Sequence, residues 1–201
     1  MSRGLALDGH RAPGAVVRQL GVPIACYLPA SVGLLAVGFV AGLTLSKVCL
    51  FAAVGLLTWS LGEYLIHRFW LHSLPRLGRG LEFVKHHILH HKSPGEHPGS
   101  IFLWLSASAA SCLWPLLAAT LGAARGSAFM AGLLAGCLAY EFIHLASHSS
   151  SPPLTPWGRY LRAHHLAHHT RSARSNYSVV FPLWDVVFRT RFVEPATPRA
   201  R

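Results

Sequence analysis

Histidine is the residue type in this chain that most clearly indicates a chemical site, because ten of the 14 histidines fall into four tight groups. Neutral imidazole is the commonest protein metal ligand and suits iron, zinc and copper. Ten nitrogen donors exceed what one tetrahedral or octahedral ion can bind, but they suit two ions that keep open coordination positions. The sequence therefore predicts a dinuclear metal site. The ten candidate ligands are His67, His72, His87, His90, His91, His144, His148, His165, His168 and His169.

The spacing within each group indicates which ligands can converge. Residues three and four apart share a helix face, so the histidines of 87–91 can point to one place, and those of 165–169 repeat the pattern. The pair at 144 and 148 can converge as well. His67 and His72 are five apart, which separates them by about 140° on an ideal α-helix. We expect these two to serve different ions or to straddle a helix end.

Acidic residues are few, and two of them lie close before candidate ligands. Glu63 lies one helical turn before His67, and Glu141 lies three residues before His144. A carboxylate that accepts a hydrogen bond from the distal N–H of a ligating imidazole fixes its orientation. We predict this role for both residues, and the alternative is a carboxylate at a helix end paired with a cation.

Three further residues are candidates for supporting the ligands. Asp185 is predicted to orient one of the histidines of 165–169, or to cap a turn. His86 and His164 each lie four residues before a candidate ligand. Either could coordinate, and we place both around the metal ligands and not among them. His10 and His97 are expected to be surface residues.

Apolar stretches must position these groups. Hydrophobic residues make up 52% of the chain, charged residues only 12%, and the mean hydropathy is +0.38, which indicates an integral membrane protein. Four stretches reach the ~20 apolar residues that a spanning helix needs. The predicted fold is one all-α membrane domain over 1–201, without a cleavable signal at its start. Its four spans form two hairpins with turns at 46–47 and 125–127, and a histidine-rich cap holds the metals. The spans are 22–45, 48–66, 101–124 and 128–146, and the cap is 67–100 with 147–192.

Positive charge predicts the orientation. Of the 18 lysines and arginines, all except Lys47 and Arg125 lie on the side of the histidines. By the positive-inside rule this side is cytoplasmic, with both termini. The net charge of +11 does not indicate a nucleic-acid partner, because the cations lie between apolar spans and form no basic face. The four cysteines lie in apolar segments and are interpreted as small buried hydrophobic residues.

The histidine groups lie in four ordered motifs that resemble the histidine boxes of the fatty acid hydroxylase and sterol desaturase superfamily. The closest likeness is to fatty acid 2-hydroxylases, without the fused haem electron-donor domain that eukaryotic members often carry. The motifs are WSLGEYLIHRFWLH at 59–72, HILHHKSP at 87–94, YEFIHLASH at 140–148, and AHHLAHH at 163–169, which leads into LWDVVFRT at 183–190.

The resemblance implies a non-haem di-iron oxidoreductase that hydroxylates a lipid C–H bond, most closely carbon 2 of a fatty acid or fatty acyl chain. It implies two metal ions, with iron expected and zinc able to replace it in purified protein. O2 and a separate electron-donor protein are the other expected partners, and Lys92, Arg159 or Arg162 is expected to hold the lipid head group. The alternatives are a sterol or carotenoid hydroxylase or desaturase of the same superfamily, a metal-dependent hydrolase, and a non-enzymatic histidine-rich metal-binding membrane protein.

Overall fold

The computed structural model describes residues 13–73, 82–94, 100–151 and 153–194. These residues form helices joined by short connections, which confirms the all-helical prediction. The described residues after Thr170 contain one short helix. The helices are α1 (Pro13–Val40), α2 (Leu45–Leu65), a π-helix (Ile66–Ser73), α3 (Glu82–Lys92), α4 (Ser100–Leu121), α5 (Ala123–Ser147), α6 (Pro156–Thr170) and α7 (Leu183–Val187).

Three helical segments are long and apolar enough to cross a membrane: Arg18–Val40, Leu45–His72 and Ala123–Ser147. They confirm the prediction of an integral membrane protein. The third predicted span corresponds to α4, which has 22 residues. Its apolar part in the fully described region, Ala109–Leu121, is shorter than a span, so the number of four spans stays a prediction.

The two hairpin turns lie upstream of the predicted positions. α1 ends at Val40 and α4 at Leu121, so Lys47 and Arg125 lie in the first turns of α2 and α5. Each connection contains a glycine with positive φ, Gly42 at 87° and Gly122 at 82°. Glycine adopts this conformation without a steric penalty. The predicted turns at 46–47 and 125–127 were wrong because charge was taken as the turn signal.

Helix α5 is the centre of the bundle and packs against α1, α2 and α4. Two glycines allow its backbone to approach that of α2: a Cβ at Gly132 would collide with the carbonyl oxygen of Ala52, and a Cβ at Gly55 with that of Phe129. Membrane helices associate through such close packing of small residues, because lipid gives them little hydrophobic drive. The contacts fix α2 and α5 side by side, with their C-terminal ends at the same end of the bundle.

Gly55→Ala is expected to lower the free energy of unfolding by about 1–3 kcal/mol, the usual cost of forcing extra atoms into a packed core. Gly62→Ala on the same helix is the matched control, because nothing lies within 4 Å of the added Cβ. Alanine there should leave stability unchanged or raise it by up to about 1 kcal/mol. Thermal unfolding of both purified variants in one detergent measures the difference, and equal midpoints would contradict the packing argument.

The prediction that all four cysteines are buried was wrong for three of them. Cys137 is buried in α5, but Cys26, Cys49 and Cys112 are exposed on the outer surfaces of their helices. The outer surfaces of α1 and α2 also carry large exposed aliphatic side chains. An apolar residue in a membrane helix can face lipid as readily as the protein interior, so hydrophobicity alone does not predict burial here.

Candidate metal centre

The ten candidate histidines lie in two groups of five at one end of the bundle. Within each group, one ring nitrogen of every residue lies within 4.8 Å of those of the others. The first histidine group is His67, His72, His87, His91 and His168. The second histidine group is His90, His144, His148, His165 and His169.

Helices α3 and α6 each contribute to both groups. In α3, His87 and His91 belong to the first group and His90 to the second. Helix α6 contributes His168 to the first group, and His165 and His169 to the second. The expectation that all histidines of 87–91 point to one place was therefore wrong, and so was the same expectation for those of 165–169. Residues four apart share a face, and the residue at the intermediate position points about 60° or more away. The two helices therefore link the groups.

The π-helix explains how His67 and His72 lie together although they are five residues apart. Its backbone hydrogen bonds join residues i and i+5, so residues at this spacing lie on one face. The two Nε2 atoms are 3.2 Å apart, and both residues belong to the first histidine group. The expected separation assumed an α-helix, but α2 ends at Leu65, before either histidine.

The spacing of the Nε2 atoms fits a shared ion in each group. The Nε2 of His72 lies 2.8 Å from that of His87 and 3.0 Å from that of His168. In the second group, the Nε2 atoms of His90 and His144 are 2.8 Å apart. Two nitrogens bound at right angles to one ion, each at about 2.1 Å, lie about 3.0 Å apart. An all-imidazole donor set suits iron and zinc, so these residues fit the implied metals.

A segment that we call the strap, residues 175–180, fixes two rings of the first histidine group. Nδ1 of His67 donates a hydrogen bond to the carbonyl oxygen of Tyr177 at 2.5 Å, and Nδ1 of His168 donates to that of Ser175 at 2.6 Å. A carbonyl oxygen only accepts, so the hydrogen of each ring must be on Nδ1. This tautomer leaves the Nε2 lone pair directed into the group, as metal binding requires.

Asp185 holds the strap and is fully buried. Its carboxylate accepts hydrogen bonds from the backbone N–H groups of Tyr177 and Ser178, the hydroxyl of Thr190 and Nε2 of His164, all at 2.7–3.0 Å. Burial alone would raise the pKa of Asp185, but these hydrogen bonds hold its pKa below the usual value. Asp185 was predicted to orient a histidine of 165–169. It binds the neighbouring His164 instead and reaches the first histidine group through the strap.

The two predicted carboxylate partners of histidines also differ from expectation. Glu63 accepts hydrogen bonds from the backbone N–H groups of Val179 and Val180, so it supports the strap and does not bond to His67. Oε1 of Glu141 is buried without a hydrogen-bond partner among the described residues. The predicted bond from an imidazole to Glu63 was wrong, because the backbone of the strap supplies the acceptors for the rings of His67 and His168. At Glu141, no described histidine donates to Oε1, so the predicted pairing is not observed at this oxygen.

The remaining candidates lie outside the two groups. His86 belongs to neither group, and His10 and His97 lie outside the described residues. Arg159 donates to the carbonyl oxygen of Leu154 at 2.9 Å, and Arg162 donates to those of Ser149 and Ser151. These two arginines stabilise the connection before α6, and no contact supports their predicted role at a lipid head group. Lys92, the third candidate for that role, is exposed at the end of α3.

Sequence reasoning missed Asn176, which shapes the strap. Its φ is 54°, a left-handed conformation in which asparagine is enriched among non-glycine residues. Its Nδ2 donates to the carbonyl oxygen of His164 at 3.0 Å, and its Oδ1 accepts from the backbone N–H of Phe192 at 2.7 Å. A lone asparagine before an apolar tail was the available signal, but it does not reveal which carbonyl groups the resulting turn presents.

Burial lowers the pKa of histidines in the first histidine group that lie outside the candidate spans. It lowers the pKa of His91 to about 4, with a smaller contribution from His168. Burial likewise lowers the pKa of His168 to about 4, although its bond to the carbonyl oxygen of Ser175 acts in the opposite direction. Both rings are therefore neutral at physiological pH. Because a metal ion binds only the neutral ring, proton competition at these positions is small.

The family model described as fatty acid hydroxylase matches residues 52–190. This match covers more than half of the chain and includes both histidine groups and the strap. The chain belongs to the fatty acid hydroxylase family. This confirms the family predicted from the four motifs, and it identifies the chain as an oxidoreductase.

Individual relatives agree with the family match. The chain is 32% identical over 178 residues to the dihydroceramide fatty acyl 2-hydroxylase FAH2 of Arabidopsis thaliana, which covers 87% of the chain and 71% of the relative. It is 31% identical over 150 residues to the fatty acid 2-hydroxylase of Rattus norvegicus, covering 73% of the chain and 40% of the relative. The chain therefore spans well under half the length of the rat relative.

A solved structure extends the likeness to three dimensions. The structure of full-length scs7p, in which only the hydroxylase domain is visible, matches with a TM-score of 0.70 and 28% sequence identity. The match covers 90% of this chain and 69% of that chain. The fatty acid hydroxylase fold therefore includes the membrane helices as well as the histidine-rich end.

Proposed function

We propose that this chain is a membrane oxygenase that hydroxylates carbon 2 of a fatty acid or a lipid-bound fatty acyl chain. The observation that carries the proposal is the pair of five-histidine groups, each with converging Nε2 atoms, at one end of an apolar helix bundle. The named activities of the Arabidopsis and rat relatives support position 2 of an acyl chain over sterols or carotenoids.

The ten histidines are proposed to hold two iron ions, one in each histidine group. When bound, two iron ions supply the redox chemistry that O2 needs to react with an unactivated C–H bond. In the overall reaction one oxygen atom of O2 enters the C–H bond and the other leaves as water. The reaction consumes two electrons and two protons, and a separate donor protein is proposed to supply the electrons.

The protein's own residues contribute binding, orientation and exclusion of water. Nδ1–H groups of His67 and His168 bond to the strap and keep both Nε2 lone pairs directed at the first histidine group. The carboxylates of Asp185 and Glu63 hold the strap by accepting hydrogen bonds from its backbone N–H groups. No side chain is required as a nucleophile or general base, because the substrate carbon is not activated by proton transfer.

The finer membrane topology is also part of the proposal. The 22 residues of α4 extend about 33 Å at 1.5 Å per residue, enough for a hydrocarbon core of about 30 Å. We assign α4 as a fourth span that pairs with α5 in the second hairpin. The distribution of lysine and arginine then places both termini and both histidine groups on the cytoplasmic side.

An acyl substrate with two deuterium atoms at carbon 2 tests the reaction and its position together. The iron-loaded protein, supplied with O2 and reducing equivalents, is expected to give a hydroxylated product that retains one deuterium. Mass spectrometry of the released fatty acid measures the retention. A hydroxylated product with both deuterium atoms would refute position 2, and a product with a new double bond would favour desaturation.

A further inference from the structure

Helix α7 presents large apolar side chains outside the helix bundle. Leu183, Val186 and Val187 are each at least half exposed. Next to them, an apolar groove of about 360 Å³ runs between α6 and α7. The groove is lined by Trp157, Tyr160, Phe181, Pro182, Leu183 and Val186. Leaving three such aliphatic side chains in water would forgo much of the hydrophobic stabilisation that their burial can provide.

The position of α7 along the bundle is set by its contacts with α2. The indole N–H of Trp184 donates to the hydroxyl of Ser60 at 3.0 Å, and the ring of Phe188 stacks on that of Tyr64 with 5.1 Å between centroids. Ser60 lies five residues before the end of α2, which is about 8 Å along the helix axis. Since α2 belongs to the candidate span Leu45–His72, α7 lies alongside part of that span and not only beyond its end.

Exposed leucines of α2 lie close in sequence to Ser60, which contacts α7. Leu57 and Leu65, on either side of Ser60 in sequence, are exposed on α2, in a segment that spans the membrane. A helix held against this segment with its own aliphatic side chains outward extends the same lipid-facing surface. The occupant that fits this surface is therefore the hydrocarbon of the surrounding bilayer.

The charges after α7 suit the edge of a membrane. Arg189 and Arg191 are exposed and follow the apolar residues directly. The turn that carries them is fixed, because the backbone N–H groups of Thr190 and Arg191 donate to the carbonyl oxygen of Asp185 at 2.8 and 3.1 Å. Apolar residues in lipid with cations beside them are the arrangement of interfacial helices on anionic membranes.

We infer that α7 is an interfacial membrane anchor. Leu183, Val186 and Val187 insert into the acyl region of one leaflet, Arg189 and Arg191 contact phospholipid phosphates, and the groove holds a phospholipid acyl chain. The anchor attaches the segment that follows the strap to the membrane. It does not depend on the reaction that the metal centre performs.

Photocrosslinking from α7 in intact membranes tests the anchor. A benzophenone amino acid replaces Val186 in the full chain, and the control carries it at Ala173, which is exposed in the polar turn after α6. After irradiation, mass spectrometry of the purified protein should show phospholipid adducts about tenfold or more above the control. Val187 is the second position, used if the Val186 variant does not accumulate as folded protein.

Two outcomes would overturn the inference. Equal lipid adducts from positions 186 and 173 would mean that α7 has no preferred contact with the bilayer. A crosslink from position 186 to another protein, without lipid adducts, would mean that the apolar face is a protein interface. Neither outcome bears on the proposed hydroxylase function, which the deuterium experiment tests separately.

Discussion

His87→Ala is expected to lower hydroxylation by at least about 100-fold and to reduce bound metal from two ions per chain towards one. His87 lies in the centre of the first histidine group, with its Nε2 2.8 Å from that of His72 and 3.1 Å from that of His91. Its removal leaves all five residues of the second histidine group in place. Metal analysis of the purified variant beside a product assay measures both effects.

The matched control for His87→Ala is Lys85→Ala on the same helix. Lys85 is exposed and forms a surface ion pair with Glu82, which contributes little to stability. We expect this variant to keep both metal ions and its activity. Full activity in His87→Ala would contradict the assignment of the first histidine group, and equal loss in both variants would show that α3 tolerates no substitution.

Asp185→Ala is expected to reduce hydroxylation by about 10–100-fold although Asp185 touches neither histidine group, as is usual when a residue that orients metal ligands is removed. The substitution leaves His164, Thr190 and two strap N–H groups without their buried acceptor. The strap then no longer holds the carbonyl oxygens that orient His67 and His168. Asp185→Asn, which keeps one acceptor oxygen, should lose less.

The readout that identifies this positioning role is selective metal loss. Asp185→Ala should lose the ion of the first histidine group while keeping that of the second, because the strap contacts described here orient only the first group. Glu194→Gln is the control, since Glu194 forms an exposed pair with Arg171 at 3.4 Å. Equal loss of both ions, or a protein that fails to fold, would show that Asp185 supports the whole cap.

The sequence could indicate the candidate metal centre because its candidate ligands are side chains. Histidine spacing on apolar helices predicted a dinuclear centre, the resemblance of the four motifs predicted the family, and the structure brings the ten residues together in two groups. The division into two groups was not predictable from the spacing alone. It depends on α3 and α6 lying between the groups, and on a π-helix that places His67 and His72 on one face.

The support of the ligands was harder to predict because it is made by the backbone. Every residue has the same backbone carbonyl oxygen, so the residue types at Ser175 and Tyr177 do not indicate that their carbonyl groups orient histidines. Glu63 and Asp185 were predicted to orient ligating histidines, and in the structure both are buried and bond to the backbone of the strap. Their partners were assigned wrongly, because the strap lies between these carboxylates and the imidazoles.

Lipid mass spectrometry on cells that express the wild type or His168→Ala, grown with oxygen, tests whether the two histidine groups support lipid hydroxylation. His168 contacts three parts of the centre: its Nδ1 bonds to the strap, and its Nε2 lies near those of His72 and His91. We expect a fatty acyl species with one added oxygen atom that is present only with the wild type. Identical lipids from both cells, with metal bound and an electron donor present, would contradict it.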